Sequence, residues 1–232
     1  MKTLVTGAAG GIGSAIADAF AAVGHASFRH DVRSADSMDV VGDLLDRDAR
    51  VDVGRFVDVS GVDCVVAAHG LPGSQNLAAV DDAFVQKVMS VNTVSILRLY
   101  DEVAPVLKAR GGSFVIVSSQ AGLVGEAQNG VYSASKFALV GWARRMASDP
   151  AAPRLRVICP GITETPLLVG AFEGMAAASG RSYEQVLATR LAQVPGGRLG
   201  RPEEIGRACV WLAELTRSDC LVAAINGGEI LI

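Results

Sequence analysis

Nowhere does the chain string together the ~20 apolar residues that a membrane-crossing helix requires, so no transmembrane span is expected. A basic surplus is missing too. The net charge is -3 with 19% charged residues, which leaves no electrostatic case for nucleic acid. Cysteines are few: Cys64, Cys159, Cys209 and Cys220 show no Cys-x-x-Cys spacing and no neighbouring histidines. Buried, reduced thiols are therefore expected, rather than a disulfide framework or a metal site. No linker, repeat or low-complexity tract divides the 232 residues, which points to one domain over 1–232 with a large core. Met1–Thr6 runs directly into a glycine-rich turn with no room for a signal peptide, so a cytoplasmic location is expected.

What the chain does contain is a repeated rhythm. Short apolar runs at Leu4–Val5, Ala26–Phe28, Val40–Val41, Cys64–Ala68, Phe114–Val117, Leu155–Cys159 and Leu221–Ile225 read as strands. Between them, Ser14–Val23, Asp46–Phe56, Asp81–Leu107, Tyr132–Ala147 and Pro202–Glu214 have the length or period of helices. Strands that are apolar throughout belong to a parallel sheet covered on both faces. The alternation therefore predicts an α/β fold: a single doubly wound, Rossmann-type domain with about seven parallel strands and helices on both faces. Leu167–Gly200 breaks the rhythm with a polar, glycine-punctuated excursion, placed where such folds build ligand specificity.

The first turn, Thr6-Gly-Ala-Ala-Gly-Gly-Ile-Gly13, lies between a strand and a helix. In that setting Gly7 permits a tight turn, Gly11 lets backbone approach a pyrophosphate, and Gly13 allows close helix–strand packing. Asp31, eighteen residues beyond Gly13, ends the second strand, where a carboxylate can bind adenosine ribose hydroxyls and repel the extra phosphate of NADP. NAD is therefore expected over NADP, although Arg29 and Arg33 complicate the charge balance and Arg33 could reach a phosphate. Asp43 and Leu44 end the third strand, where a polar side chain could accept from an adenine amino group or cap a helix.

Tyr132 and Lys136 stand four residues apart, so on a helix they share one face. A nearby cation favours phenolate over phenol, which leads to the expectation that Lys136 lowers the Tyr132 pKa and fits the phenol for proton transfer. An ordinary helix can carry the same spacing, and only its company makes it informative.

With these residues in place, the chain resembles the classical short-chain dehydrogenase/reductase family over nearly its full length. The glycine turn Thr6–Gly13, Tyr132 and Lys136, Ser119 thirteen residues before the tyrosine, and Asn92 in a helix match its motifs in order. So do Pro160–Thr165, Gly197–Ile205 and Asn226–Gly228. Two departures stand out: Ala67-Ala-His-Gly70 replaces the common Asn-Asn-Ala-Gly, and Arg156 replaces an asparagine. His69 falls beside the expected cofactor, as a wall residue or a substrate contact. The segment between the second and third strands is short, so its usual helix should be reduced.

The resemblance implies a set of roles. Tyr132 is the acid/base; Lys136 tunes it and binds the nicotinamide ribose. Ser119 polarises the substrate oxygen, with Ser118 an adjacent decoy, and Asn92 holds a water that relays protons from Lys136. The Ile162 backbone and the Thr165 hydroxyl bind the carboxamide, and Ile12, Ala68 and Gly70 also line the cofactor. A substrate lid is implied over about 167–200, with Ala171, Phe172, Met175 and Leu187 as an apolar face and Arg181 or Arg190 available to an anionic group. No metal is implied. A homodimer or homotetramer through Asp81–Leu107 and Tyr132–Ala147 is.

The reading is an NAD-preferring oxidoreductase interconverting a secondary alcohol and a ketone. Alternatives are an NADPH-dependent 3-oxoacyl-thioester reductase, against which Gly10 stands where a basic residue is common, and a non-catalytic dinucleotide-binding sensor or scaffold, against which the intact Ser–Tyr–Lys set argues. A sugar-nucleotide epimerase lacks its C-terminal domain here.

Overall fold

Strands that are buried at every position need cover on both faces, and the chain supplies it. The computed structural model describes residues 1–73, 80–126, 129–216 and 221–230; Cys220 lies outside the described residues. Seven strands form one parallel sheet: β1 (Lys2–Thr6), β2 (Ala26–Asp31), β3 (Val40–Val41), β4 (Cys64–Ala67), β5 (Ser113–Val117), β6 (Arg154–Pro160) and β7 (Val222–Ile225). Their spatial order is β3-β2-β1-β4-β5-β6-β7. Neighbouring residues feed opposite layers. Leu4, Val65, Phe114 and Val157 join one core with α2 (Arg47–Val59), α4 (Ser95–Ala109) and α5 (Gly130–Met146). Val5, Val66, Val115 and Ile158 join the other with α1 (Gly11–Ala22) and α8 (Pro202–Glu214). This doubly wound sheet is the fold that the continuous apolar runs predicted. Cys64 on β4, Cys159 on β6 and Cys209 on α8 are free and buried.

Helix starts follow local chemistry. Asp46 caps α2 by accepting from the Asp48 amide at 3.0 Å. Asp81 caps α3 (Asp82–Met89) by accepting from the Phe84 amide at 2.7 Å. Thr165 caps α6 (Pro166–Ser179), with proline in its first turn, and Ser182 with Gln185 forms a capping box on α7 (Tyr183–Leu191). The start of α1 differs. Its Gly10 cap offers no side chain, so the first amides of that helix are left for another partner.

Two expectations are refined. Asp81–Leu107 is not one regular helix: α3 and α4 are joined by a π-helical turn at Ser90–Val94, which contains Asn92. The excursion after β6 is built as α6 and α7. Between β2 and β3 there is no helix, as the short segment predicted. No helix among the described residues is long and apolar enough to cross a membrane.

Candidate active site

Strand order reverses direction between β1 and β4, and a cleft opens there at the carboxyl ends of the strands. One lobe is lined by Gly7, Gly11, Ile12, Gly13, Asp31, Ala68, Gly70, Lys136 and Thr165, and a neighbouring hollow holds Asp43 and Leu44. A second lobe lies under α6 and contains Ser119, Ile162, Leu168 and Phe172. Tyr132 lines both lobes. Asn92 lies behind the cleft, fully buried.

Side chains from β5, α5 and the π-turn converge at that junction. Tyr132 and Lys136 lie one turn apart on α5, with the Lys136 Nζ 5.7 Å from the phenol ring centroid. Lys136 donates to the Val117 carbonyl at 3.1 Å, at the end of β5. Ser119 follows β5; its hydroxyl accepts from the Ala121 amide at 3.1 Å and lies near enough to the Tyr132 phenol to favour its ionisation. Ser118 turns away, donating to the Lys136 carbonyl at 3.1 Å, which marks it as structural. Asn92 is held at both ends: its Oδ1 accepts from the Leu71 amide at 2.7 Å, and its Nδ2 donates to the Leu71 carbonyl at 3.0 Å and to Ser135 at 3.2 Å. It fixes the Gly70–Leu71 wall from behind, a role the spacing alone did not reveal.

The electrostatics correct one expectation. Burial, opposed by Ser119 and reinforced by Glu126, pushes the Tyr132 phenol up to about 12. Burial also brings the Lys136 ammonium down to about 8. Lys136 therefore does not depress the Tyr132 pKa in this arrangement. Desolvation disfavours both charged forms, and the ammonium sits against a carbonyl rather than against the phenol oxygen.

The residues at the first turn fit a dinucleotide. Gly7 is left-handed at φ +69, and a side chain there would meet the His69 Cα at 2.7 Å. A Cβ on Gly13 would come within 2.2 Å of the Gly7 carbonyl oxygen. The uncapped amides that follow, at the positive end of α1, suit a pyrophosphate. Asp31 is buried. It braces this turn by accepting from the Ala9 amide at 3.0 Å, and it accepts from the Arg33 backbone amide at 3.0 Å and Nε at 3.1 Å. Burial raises its pKa, but these hydrogen bonds outweigh that and hold the carboxyl below its usual value. Asp43 forms a local turn with the Leu45 amide rather than capping α2. The Thr165 hydroxyl accepts from the Leu168 amide and donates to the Thr163 carbonyl, so it caps α6 at the cleft edge.

His69 is the wall residue of the two readings. Ser95 donates its proton to the Val91 carbonyl at 2.7 Å and so accepts from His69 Nε2 at 2.8 Å. His69 Nδ1 then accepts from the Thr6 hydroxyl at 2.7 Å. Burial brings the imidazole down to about 3, so it stays neutral and ties β1, β4 and α4 together. Arg156 is buried within β6, donating to the Leu155 and Leu215 carbonyls.

The second lobe is also lined by Glu126, which sequence reasoning missed, beside Arg190, which it offered to an anion. Glu126 accepts from Gln120 Nε2 at 3.1 Å and from Asn129 Nδ2 at 3.0 Å. Arg190 of α7 reaches both Glu126 at 3.4 Å and Glu229 at 3.2 Å. No spacing signals this group, because it gathers three segments far apart in the chain. Ala171, Phe172 and Met175 do form an apolar face in this lobe; Leu187 is not among its lining residues. Arg181 folds back on its own helix, donating to the Gln185 carbonyl.

Residues 2–176 match the family model described as short chain dehydrogenase. The cis-4-hydroxycyclohexanecarboxylate dehydrogenase of Sinomonas cyclohexanicum is 32% identical, over 97% of this chain and 94% of that one. The 3-oxoacyl-acyl-carrier-protein reductase of Thermotoga maritima is 29% identical, over 98% and 97%. Among solved structures, a variant actinorhodin polyketide ketoreductase with NADPH superposes with a TM-score of 0.89 at 24% identity, covering 98% of this chain and 96% of that one.

Proposed function

Because this chain belongs to the short-chain dehydrogenase family and is an NAD(P)-dependent oxidoreductase, we propose that it interconverts a secondary alcohol and a ketone, with NAD preferred. The observation that carries this reading is Tyr132 at the junction of the two lobes, with Ser119 lining the substrate lobe beside it. A bound nicotinamide dinucleotide supplies or takes up the hydride. The protein handles the matching proton. Ser119 holds the substrate oxygen beside the phenol. A phenol that keeps its proton to about pH 12 donates it to a carbonyl oxygen during reduction; for oxidation the phenol must first pass that proton to a neutral Lys136 before it can accept the alcohol's. Lys136, with a pKa of about 8, can exchange protons near neutral pH and so reset the phenol. Asn92 keeps the Gly70–Leu71 wall in place behind the lysine.

The NAD preference rests on the ionised Asp31 carboxylate at the adenosine end of the lobe. A second reading, an NADPH-dependent 3-oxoacyl-thioester reductase, is favoured by Arg33. Its side chain is 63% exposed beside Asp31, where it could meet a phosphate. The same proposal has α6 and α7 acting as the substrate lid, a cytoplasmic location, and a homodimer or homotetramer built through Asp81–Leu107 (α3, the π-turn and α4) and α5.

Purified protein supplied with NAD and a panel of secondary alcohols should generate reduced nicotinamide absorbance. Tyr132→Phe should lower kcat by at least ~100-fold while leaving NAD binding intact. Undiminished turnover in that variant would sink the mechanism. Titrations with NAD and NADP on wild type and Asp31→Ala separate the cofactor readings, since loss of the carboxylate should shift preference toward NADP by about tenfold.

A further inference from the structure

Tyr132 lies in the first turn of α5, and the cap of that helix, Asn129, makes no side-chain cap hydrogen bond. The helix end alone therefore holds it loosely. Outside contacts make up the difference. Gly70–Gly73, after β4, has no regular structure, so its path is set by what it packs against. A Cβ built on the buried Gly73 would stand 2.7 Å from the Tyr132 Cβ, 3.0 Å from its amide nitrogen and 3.1 Å from its Cα. A Cβ on Gly70 would stand 3.2 Å from Asn92 Oδ1 and 3.5 Å from Lys136 Nζ. Between the two glycines, Leu71 is pinned through both of its backbone groups to the fully buried Asn92. Asn92 also reaches α5 directly. Its Nδ2 donates to the Ser135 hydroxyl at 3.2 Å, and that hydroxyl donates to the Tyr132 carbonyl at 2.7 Å. Two routes thus run from Asn92 to the backbone of one residue. One passes through Leu71 and Gly73 to its amide, Cα and Cβ; the other passes through Ser135 to its carbonyl.

Building on the alcohol–ketone reading, we propose that Gly70–Gly73 is a positioning strap for the acid/base, with Gly73 as the positioning residue whose bare backbone closes on Tyr132 and fixes where the phenol enters the junction of the two lobes. Asn92 is the fixed point from which both grips are set. The Tyr132 atoms facing Gly73 are backbone and Cβ, which cannot swing aside as a side-chain tip would. A methyl group at Gly73 must lift the strap off Tyr132 or displace the start of α5. The first frees the phenol; the second shifts it from Ser119, which is held by the end of β5. A displacement of about 1 Å at a reacting group can cost on the order of 100-fold in rate.

Each variant is read in three ways. NAD affinity is measured by calorimetry, and kcat and KM with the secondary alcohol turned over fastest in the panel. The Tyr132 ring resonance is followed in protein carrying 13C-labelled tyrosine, of which the chain has three. Gly73→Ala should lower kcat by at least ~10-fold, keep KM and the NAD dissociation constant each within about twofold of wild type, and move the Tyr132 resonance. Asn92→Ala should do the same. The double variant should lose little more than the worse single one, because both act through one strap. Ser135→Ala, which removes the second grip without adding volume, takes the place of Gly73→Ala should that variant fail to fold. Wild-type kcat in Gly73→Ala, a loss confined to KM or NAD affinity, losses that multiply in the double variant, or an unmoved resonance would each overturn the proposal. A wild type that turns over no alcohol, with the resonance still moved by Gly73→Ala, would instead remove the alcohol–ketone reading and leave the strap standing.

Discussion

Lys136 is a cation enclosed by protein, with one carbonyl for a partner, and this makes it a liability for folding as well as a tool. Its folded pKa of about 8 lies below the ordinary 10.5 because of burial. Between those values the unfolded chain binds the proton and the folded one does not, so stability rises with pH across that window. Below about pH 8 the penalty is fully present. Lys136→Met should therefore be more stable than wild type at pH 7, by on the order of 3 kcal/mol. That advantage should shrink toward zero by pH 10.5. Urea melts at pH 7, 9 and 10.5 measure it, and a constant gap would mean that packing, not protonation, sets the difference. The sequence showed that Tyr132 and Lys136 share a face, since four residues span about one helical turn. It could not show which way the pKa values move, because desolvation depends on chain far from either residue.

At the scale of elements, the turn between β1 and α1 is the most constrained piece of backbone in the cleft. The Gly13 position lies against the Gly7 carbonyl oxygen, which is backbone and cannot swing aside. Gly13→Ala must displace the turn or the first turn of α1, so the helix amides would no longer line up for phosphates. NAD affinity should fall at least ~10-fold in a calorimetric titration, with only a modest loss of thermal stability. Unchanged affinity would detach the turn from nucleotide binding. This element was legible because strand, glycines and helix are contiguous. The π-turn at Ser90–Val94 was not: its extra residue shifts the apolar period too little to read, and the partner of its Asn92, Leu71, lies in a distant segment. The helix caps fall between these cases. Asp46 and Asp81 cap their helices, yet Asp43, three residues before Asp46, makes only a local turn, and nothing in composition separates the two roles.

At the scale of the whole molecule, two apolar residues stand out on the helices proposed to carry self-association. Phe137 on α5 is 42% exposed and Val94, just before α4, is 47% exposed. A charge at Phe137 should disfavour association without disturbing the core. Phe137→Asp should elute as a smaller species than wild type by size-exclusion chromatography with light scattering. An unchanged mass would move the interface elsewhere.

The doubly wound sheet, the glycine turn and the order of Ser119, Tyr132 and Lys136 were determined by the sequence itself. Each rests on periodicity or short spacing, which the geometry of strand and helix converts directly into shape. Only the tertiary structure decided that the tyrosine pKa rises, that His69 is a neutral clamp between Thr6 and Ser95, and that Glu126 and Glu229 meet at Arg190. Those properties depend on which distant segments exclude water together, and no local pattern carries that information.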